Sequence, residues 1–356
     1  MTSSDTPSQA APSQEDRDAQ PAASGSLTGH SPDVTGRPKG IDDRPNVTGV
    51  DMSPAHHRAV AILADAVGRS PVKVDAEWTW GSTLVVRTVI DDELTIFIKA
   101  AADQDVHTEA AAIALARSAG VPTVDVLATG TDKQLPGGRW IITRSASGEP
   151  MQDVGRTAPT TSQTLDDLAE CYTRLHQVTL PGHGPLGPGG THAVFATWSE
   201  WQQRIIERAL DQLAANGAAS DHFLARSHHL CEKFATDLDA APAALLHADL
   251  GDRELFVDPG TGDVTSIVDW GDALIGDPLY DLVRFVGGGP ADDPRPAQLH
   301  PTLHACYLRR NPQHRARARR MMTFYRFHIC VVEAAWEPDW APAHIAWANQ
   351  LIDDLS

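Results

Sequence analysis

The run His247-Ala248-Asp249-Leu250 precedes two short strand-like runs, Leu255 to Val257 and Val264 to Val268. They are separated by the turn Pro259-Gly260-Thr261-Gly262 and closed by Asp269-Trp270-Gly271. Two β-prone runs around a Pro/Gly turn predict a hairpin. Asp249 and Asp269 then stand at opposite ends of it, where they can converge on one site. Phosphoryl transfer needs such a pair: one carboxylate orients the attacking hydroxyl and accepts its proton, and another holds a magnesium ion that bridges the phosphates. The chain continues Gly276-Asp277-Pro278-Leu279-Tyr280-Asp281-Leu282.

The joint pattern of His-x-Asp, hairpin, Asp-Trp, and Gly-Asp-Pro followed by Asp resembles the signature of aminoglycoside phosphotransferases and their antibiotic-kinase relatives. It also resembles the catalytic loop and metal loop of a protein kinase. The resemblance implies Asp249 as catalytic base, His247 as the brace of its loop, Asp269 as the principal magnesium ligand, and Asp277 and Asp281 as structural supports. The family usually has asparagine five residues after the catalytic aspartate, as the second magnesium ligand, and this chain has Glu254. A glutamate offers oxygen to a hard cation. It coordinates directly, or Asp252 or a water fills the gap, or the metal site is impaired.

Upstream, Lys99 is one of five lysines and ends the strand-like run Leu94-Thr95-Ile96-Phe97-Ile98. A kinase places there the lysine that contacts the α- and β-phosphates. Glu109 falls on the next helix as its expected partner, with Asp103 and Asp105 as competitors. The turn Trp80-Gly81-Ser82-Thr83 is the candidate phosphate-covering loop, with Ser82 as its hydroxyl. The adenine is expected to meet backbone atoms between Ile142 and Ser145. His176, before Pro181-Gly182-His183-Gly184, reads as a packed histidine at a helix end.

The elements that must position these groups follow from the hydrophobic pattern. Residues 1 to about 50 are rich in Ser, Pro, Gly, Asp and Thr and read as a disordered tail. Ser53-Pro54 caps a helix over 54–68, with Val60, Leu63 and Val67 at helical spacing. Strands are predicted at 73–80, 83–90 and 93–99, a helix at 104–118, and strands at 123–128 and 138–144. After Gly148 the pattern is largely helical. The fold class expected is α+β: a bilobal protein-kinase-like fold, with a small mainly β nucleotide-binding lobe over 51–147 and a larger helical catalytic and acceptor-binding lobe over 148–356.

The chain has 356 residues, 42% of them hydrophobic, and a formal charge of -18. That composition supports a globular core and argues against nucleic acid as a partner. With no apolar run long enough to span a bilayer and no signal-peptide core, no membrane association is expected and a cytoplasmic location is. Four scattered cysteines suggest neither zinc nor disulfides. The basic run from Arg309 to Arg320 lacks interleaved aromatics and reads as a solvated face.

By the resemblance the chain is an ATP-dependent O-phosphotransferase, with GTP as an alternative donor and Mg2+ as cofactor. Its acceptor is a small molecule, an antibiotic or a sugar-like compound, and it works as a monomer or homodimer. Acidic and aromatic residues of the helical lobe, Trp198, Glu333 and Glu337 foremost, are the expected acceptor contacts. A biosynthetic sugar or amino-alcohol kinase and a nucleotide-binding pseudokinase are the alternatives. A eukaryotic-type protein kinase is disfavoured, because no Ala-Pro-Glu follows the metal loop.

Overall fold

The computed structural model describes residues 53–71, 73–80, 82–91, 94–157, 162–285 and 301–356. The predicted disordered tail lies outside the described residues. Helix α1 (Pro54–Val67) begins where the Ser53 hydroxyl accepts the His56 N–H and ends at Gly68, whose φ of 68° is left-handed. Its buried stripe is His56, Ala59, Ile62 and Leu63; Val60 and Val67 pack at its edge.

Strands β1 (Lys73–Trp80), β2 (Thr83–Asp91) and β3 (Leu94–Ala101), helix α2 (Val106–Ser118), then β4 (Val126–Thr131) and β5 (Arg139–Arg144) complete the N-terminal lobe. The five strands form one antiparallel sheet in the order β1-β2-β3-β5-β4. Along β3, Ile96, Ile98 and Ala100 point into the lobe's core. The period of two therefore sends Lys99 to the opposite face.

The chain crosses between lobes through β6 (Glu149–Pro150), followed by α3 (Met151–Thr157), α4 (Ser162–Leu175), β7 (His183–Leu186), β8 (Ala193–Phe195), α5 (Trp198–Ala215) and α6 (Asp221–Asp239). Strand β9 (Ala244–Leu246), the hairpin β10 (Leu255–Val257) and β11 (Val264–Ile267), and β12 (Leu274–Gly276) come next. Helices α7 (Pro278–Arg284), α8 (Pro301–Arg310), α9 (Arg315–Trp336) and α10 (Ala341–Leu355) close the lobe.

The predicted hairpin is present, and β6 pairs with β10 to make it three-stranded. The approach is tight at Gly148: with φ at 83°, a Cβ there would lie 2.4 Å from both Thr265 Oγ1 and the Val257 carbonyl. A second small sheet, β8-β7-β12-β9, sits beneath the site.

Two buried clusters divide the interior. One lies between α1 and the large sheet. The other fills the helical lobe and continues beneath α2 through Val106, Ala112, Ile113 and Ala116. Trp198, expected to line the acceptor site, is instead completely buried. Its ring stacks on Trp201 with centroids 4.7 Å apart, its indole N–H donates to the Tyr325 hydroxyl at 3.0 Å, and Gly276 leaves room for the ring. The amphipathic period of α5 turns this tryptophan inward.

The basic run is only partly a solvated face. Arg309 and Arg310 pair with Asp166, Arg317 with Asp277, and Arg320 with Asp237. The four cysteines are free thiols, three of them buried. Among the described residues no helix is long and apolar enough to cross a membrane.

Candidate active site

Two residues other than glycine have a left-handed backbone, Ala248 (φ 65°) and Asp269 (φ 61°), among the described residues. Such conformations are costly for L-residues and concentrate at functional sites. Here one directly precedes Asp249 and the other is Asp269 itself, the two carboxylates singled out by the sequence. The turn at Ala248 is held from below: the Asp281 carboxylate, buried at the first turn of α7, accepts the N–H of His247 at 3.0 Å and of Ala248 at 2.7 Å. The same carboxylate is 3.1 Å from His176 Nε2, and His176 Nδ1 is 2.8 Å from the Tyr307 hydroxyl. His176 is thus a packed helix-end residue that braces Asp281.

His247 ties the two ends of the hairpin together. Its Nε2 donates to the Val268 carbonyl at 2.9 Å, its Nδ1 accepts the Asp249 N–H at 3.4 Å, and its ring lies against Trp270. Asp277 caps α7 by accepting the Leu279 N–H at 3.1 Å, and it also accepts from Arg317 and from the Tyr325 hydroxyl at 2.6 Å. Removing one partner of so buried an ion pair costs about 3–5 kcal/mol.

Lys99 spans the cleft. Its ammonium lies 2.9 Å from Asp269 Oδ1 and 3.0 Å from Glu109 Oε2. Burial disfavours the lysine charge, but Asp269 and Glu109 outweigh it and hold the pKa above the ordinary lysine value. Burial likewise pushes the Glu109 carboxyl up, against the pull of Lys99. Asp105, one of the two competitors for Lys99, instead caps α2 and pairs with Arg139; the other, Asp103, accepts the Thr83 hydroxyl at 3.4 Å.

Ser82 stands beside the β1–β2 turn, where its buried Oγ has no hydrogen-bond partner among the described residues. A phosphate oxygen would satisfy it. Of the stretch expected to meet the adenine, two donors are already committed: Arg144 N–H to the Asp125 carbonyl and Ser145 N–H to the Thr95 carbonyl, each at 2.9 Å.

Glu254, in the usual asparagine position, points back into its own loop and accepts the Gly251 N–H at 3.1 Å. Burial, then the charges of Asp249 and Asp269, push its carboxyl up to about 8. Asp272, which the sequence reading did not single out, is raised well above the ordinary value by the same three causes. Its only signal was its place in Asp269-Trp-Gly-Asp. The charges of Asp249 and Asp269 thus raise the proton affinity of Glu254 and Asp272, and a region so rich in negative charge suits a cation. Among the described residues no three His, Cys, Asp or Glu converge as a closed metal cage. Mg2+ binds through one or two carboxylates together with substrate phosphates and water. Asp269 and Glu254 are the residues that would hold it.

Arg284, also missed, ends α7 and contacts Asp249 directly. Its other terminal nitrogen lies 3.3 Å from Glu333 on α9. Glu333 is therefore an internal ion-pair partner. Burial, opposed by Arg284, raises its carboxyl. Glu337 lies 3.7 Å from His344, and Trp336 between these glutamates is 42% exposed.

A small β lobe bearing the lysine, a helical lobe bearing the His-x-Asp loop, and a cleft lined with carboxylates define a kinase-like phosphotransferase. The chain belongs to the phosphotransferase enzyme family, whose sequence model matches residues 74–320. It is 24% identical over 171 residues to the hygromycin-B 4-O-kinase of Escherichia coli; the match covers 47% of this chain and 48% of that protein, so the chain spans about half the length of this curated relative. Its fold is similar to the apo crystal structure of a thermostable mutant of aminoglycoside phosphotransferase APH(4)-Ia, with a TM-score of 0.61 and 21% identity over 83% of this chain and 97% of the other. A ternary complex of that enzyme with AMP-PNP and hygromycin B gives a TM-score of 0.60 and 20% identity over 83% and 96% of the two chains. A putative fructosamine-3-kinase from Thermobifida fusca gives 0.59 and 18% over 83% and 96%.

Proposed function

We propose that the protein is an ATP-dependent O-phosphotransferase that modifies a hydroxyl of an antibiotic or related natural product. An aminocyclitol antibiotic of the hygromycin B type is the first acceptor to test. The observation that carries the reading is the Lys99 ammonium, held 2.9 Å from Asp269 and 3.0 Å from Glu109 in the cleft where Asp249 also lies. In this reading Lys99 is the phosphate-neutralising cation, Asp269 the metal-ligand carboxylate and Asp249 the proton acceptor.

In this reading Asp249 accepts the proton of the acceptor hydroxyl, whose oxygen attacks the γ-phosphorus in line. The bond from that phosphorus to the β–γ bridging oxygen breaks, and ADP leaves. Lys99 neutralises the α- and β-phosphates while Glu109 holds the ammonium in place. Ser82 donates to a phosphate oxygen. Asp269 and Glu254 would hold Mg2+, which would supply charge neutralisation for the phosphates. His247, Asp277 and Asp281 keep the loop and α7 in position. The division into a nucleotide-binding lobe over 51–147 and a catalytic and acceptor-binding lobe over 148–356 belongs to the same reading.

On the acceptor side, Glu333 and Glu337 suit an ammonium-bearing compound, and the exposed Trp336 suits a sugar face or a cation. Trp336 equally favours a second reading, a metabolic kinase of a sugar or amino alcohol. The test is transfer from ATP or GTP, with Mg2+, to hygromycin B, other aminoglycosides, tuberactinomycins, nucleoside antibiotics and simple sugars, read by mass gain of one phosphate. Modification of hygromycin B alone supports the first reading, and modification of simple sugars alone favours the second. No transfer to any of them, with nucleotide still bound, overturns both.

A further inference from the structure

The guanidinium of Arg284 is divided among three acceptors. Its Nε donates to the Ala248 carbonyl at 2.9 Å, one terminal nitrogen donates to Asp249 Oδ1, and the other donates to Glu333 Oε1 at 3.3 Å. Only 11% of the side chain is exposed, against 24% for Asp249. Arg284 and Asp281 stand three residues apart on α7, and from there they grip opposite ends of the same turn. Asp281 takes the N–H groups of His247 and Ala248, and Arg284 takes the carbonyl of Ala248. The left-handed turn at Ala248 is thus fixed by both its donors and its acceptor.

A planar guanidinium held at three points has little freedom left. With Oδ1 of Asp249 bound to it, the carboxylate cannot rotate about its Cβ–Cγ bond, and Oδ2 keeps one direction. We propose that Arg284 is a positioning residue for Asp249: it fixes the carboxylate so that one oxygen faces the acceptor hydroxyl, and Glu333 anchors the guanidinium from α9. This inference rests on the reading of Asp249 as the group that takes the acceptor's proton. A lysine cannot replace the arginine, because a compact ammonium does not span a backbone carbonyl and two carboxylates on two elements.

The test compares Arg284→Gln, Arg284→Lys and Glu333→Gln with the unsubstituted protein at saturating ATP and Mg2+. Turnover is followed as transfer to hygromycin B and, in parallel, as ATP hydrolysis with water as acceptor, together with KM for ATP and Tm. A misplaced catalytic group costs on the order of 100-fold in rate. Arg284→Gln is expected to lower kcat by about that factor with KM for ATP within about twofold, and Arg284→Lys to recover less than about a tenth of the original rate. Glu333→Gln is expected to lower kcat several-fold. A crystal structure of Arg284→Gln is expected to show the Asp249 carboxylate turned to another rotamer.

A folded Arg284→Gln variant that keeps kcat within about twofold, or whose Asp249 keeps its rotamer, overturns the proposal. Should that variant not fold, an unchanged kcat in Glu333→Gln overturns it instead. A chain that hydrolyses ATP yet leaves hygromycin B unmodified overturns the substrate reading alone, and the Arg284 series is then decided on hydrolysis. Full turnover by Asp249→Ala overturns the underlying reading and this inference with it.

Discussion

Asp281 and Ala248 are 33 residues apart in sequence, yet the aspartate carboxylate receives the alanine N–H at 2.7 Å where the alanine backbone is left-handed. Asp281→Ala would leave two buried N–H groups, those of His247 and Ala248, without an acceptor. Each costs about 1–3 kcal/mol. Urea denaturation is expected to show a loss of roughly 2–5 kcal/mol, and Asp281→Asn, which keeps one acceptor oxygen, a smaller one. Equal stability of all three proteins would mean that the turn holds itself.

Asp249→Ala is expected to reduce phosphate transfer by about a thousandfold or more, within the range for a lost general base. Nucleotide affinity, followed by calorimetry, is expected to stay nearly unchanged. Comparable losses in rate and ATP affinity would show that the carboxylate serves the nucleotide instead.

Lys99→Met removes the charge that Asp269 and Glu109 share. The expected outcome is a rise in KM for ATP together with a fall in kcat, the two amounting to about 100-fold or more in kcat/KM. Glu109→Gln is expected to act in the same direction and more weakly, since the ammonium keeps Asp269. A Lys99→Met enzyme with unaltered KM for ATP would remove the lysine from the phosphate site.

His328 gives a pH dependence with a definite sign. It is fully buried on α9, and burial lowers its pKa to about 4 from the ordinary 6.5. Between those values the unfolded chain binds more protons than the folded one, so this residue's contribution is complete above about 6.5 and is lost as pH falls through about 4. The total is at most about 3 kcal/mol, with a slope no steeper than about 1.4 kcal/mol per pH unit. His328→Phe, which keeps a ring beside Trp201, is expected to flatten the stability profile between pH 4 and 6.5. An identical acid limb in the variant would remove His328 as its cause.

The parts legible in the sequence were those with a local signal. Ile96, Ile98 and Ala100 alternate with Lys99, so the strand and its two faces could be read directly. Ser53-Pro54 marked the start of α1. The hairpin at 255–267 was visible because its turn is written in Pro and Gly. The strand Ala244–Leu246 was not visible: all three residues are buried and no Pro/Gly turn like that of the hairpin adjoins them, so nothing distinguishes them from a helix fragment. Long-range partners were equally hidden. Arg317 reads as surface until the fold brings it to Asp277, and Arg284 reads as an ordinary helix-end arginine until α7 lies beneath the Asp249 loop. Trp198 was misjudged because an aromatic residue near a helix start suits a binding wall and a core equally, and only the packing of α5 on α9 decides between them.

The close approach at Gly148 has a further consequence for how the molecule can move. Because β6 is hydrogen-bonded into the hairpin sheet, the segment entering the helical lobe is fastened to the strands that carry Asp249 and Asp269 at their ends. The two carboxylates therefore travel as one rigid block. The segment entering β4 is fastened to the same hairpin, where the Ile267 N–H donates to the Pro122 carbonyl at 2.9 Å. The spacing of Asp249 and Asp269 is therefore held by the hairpin sheet and not by the position of Lys99.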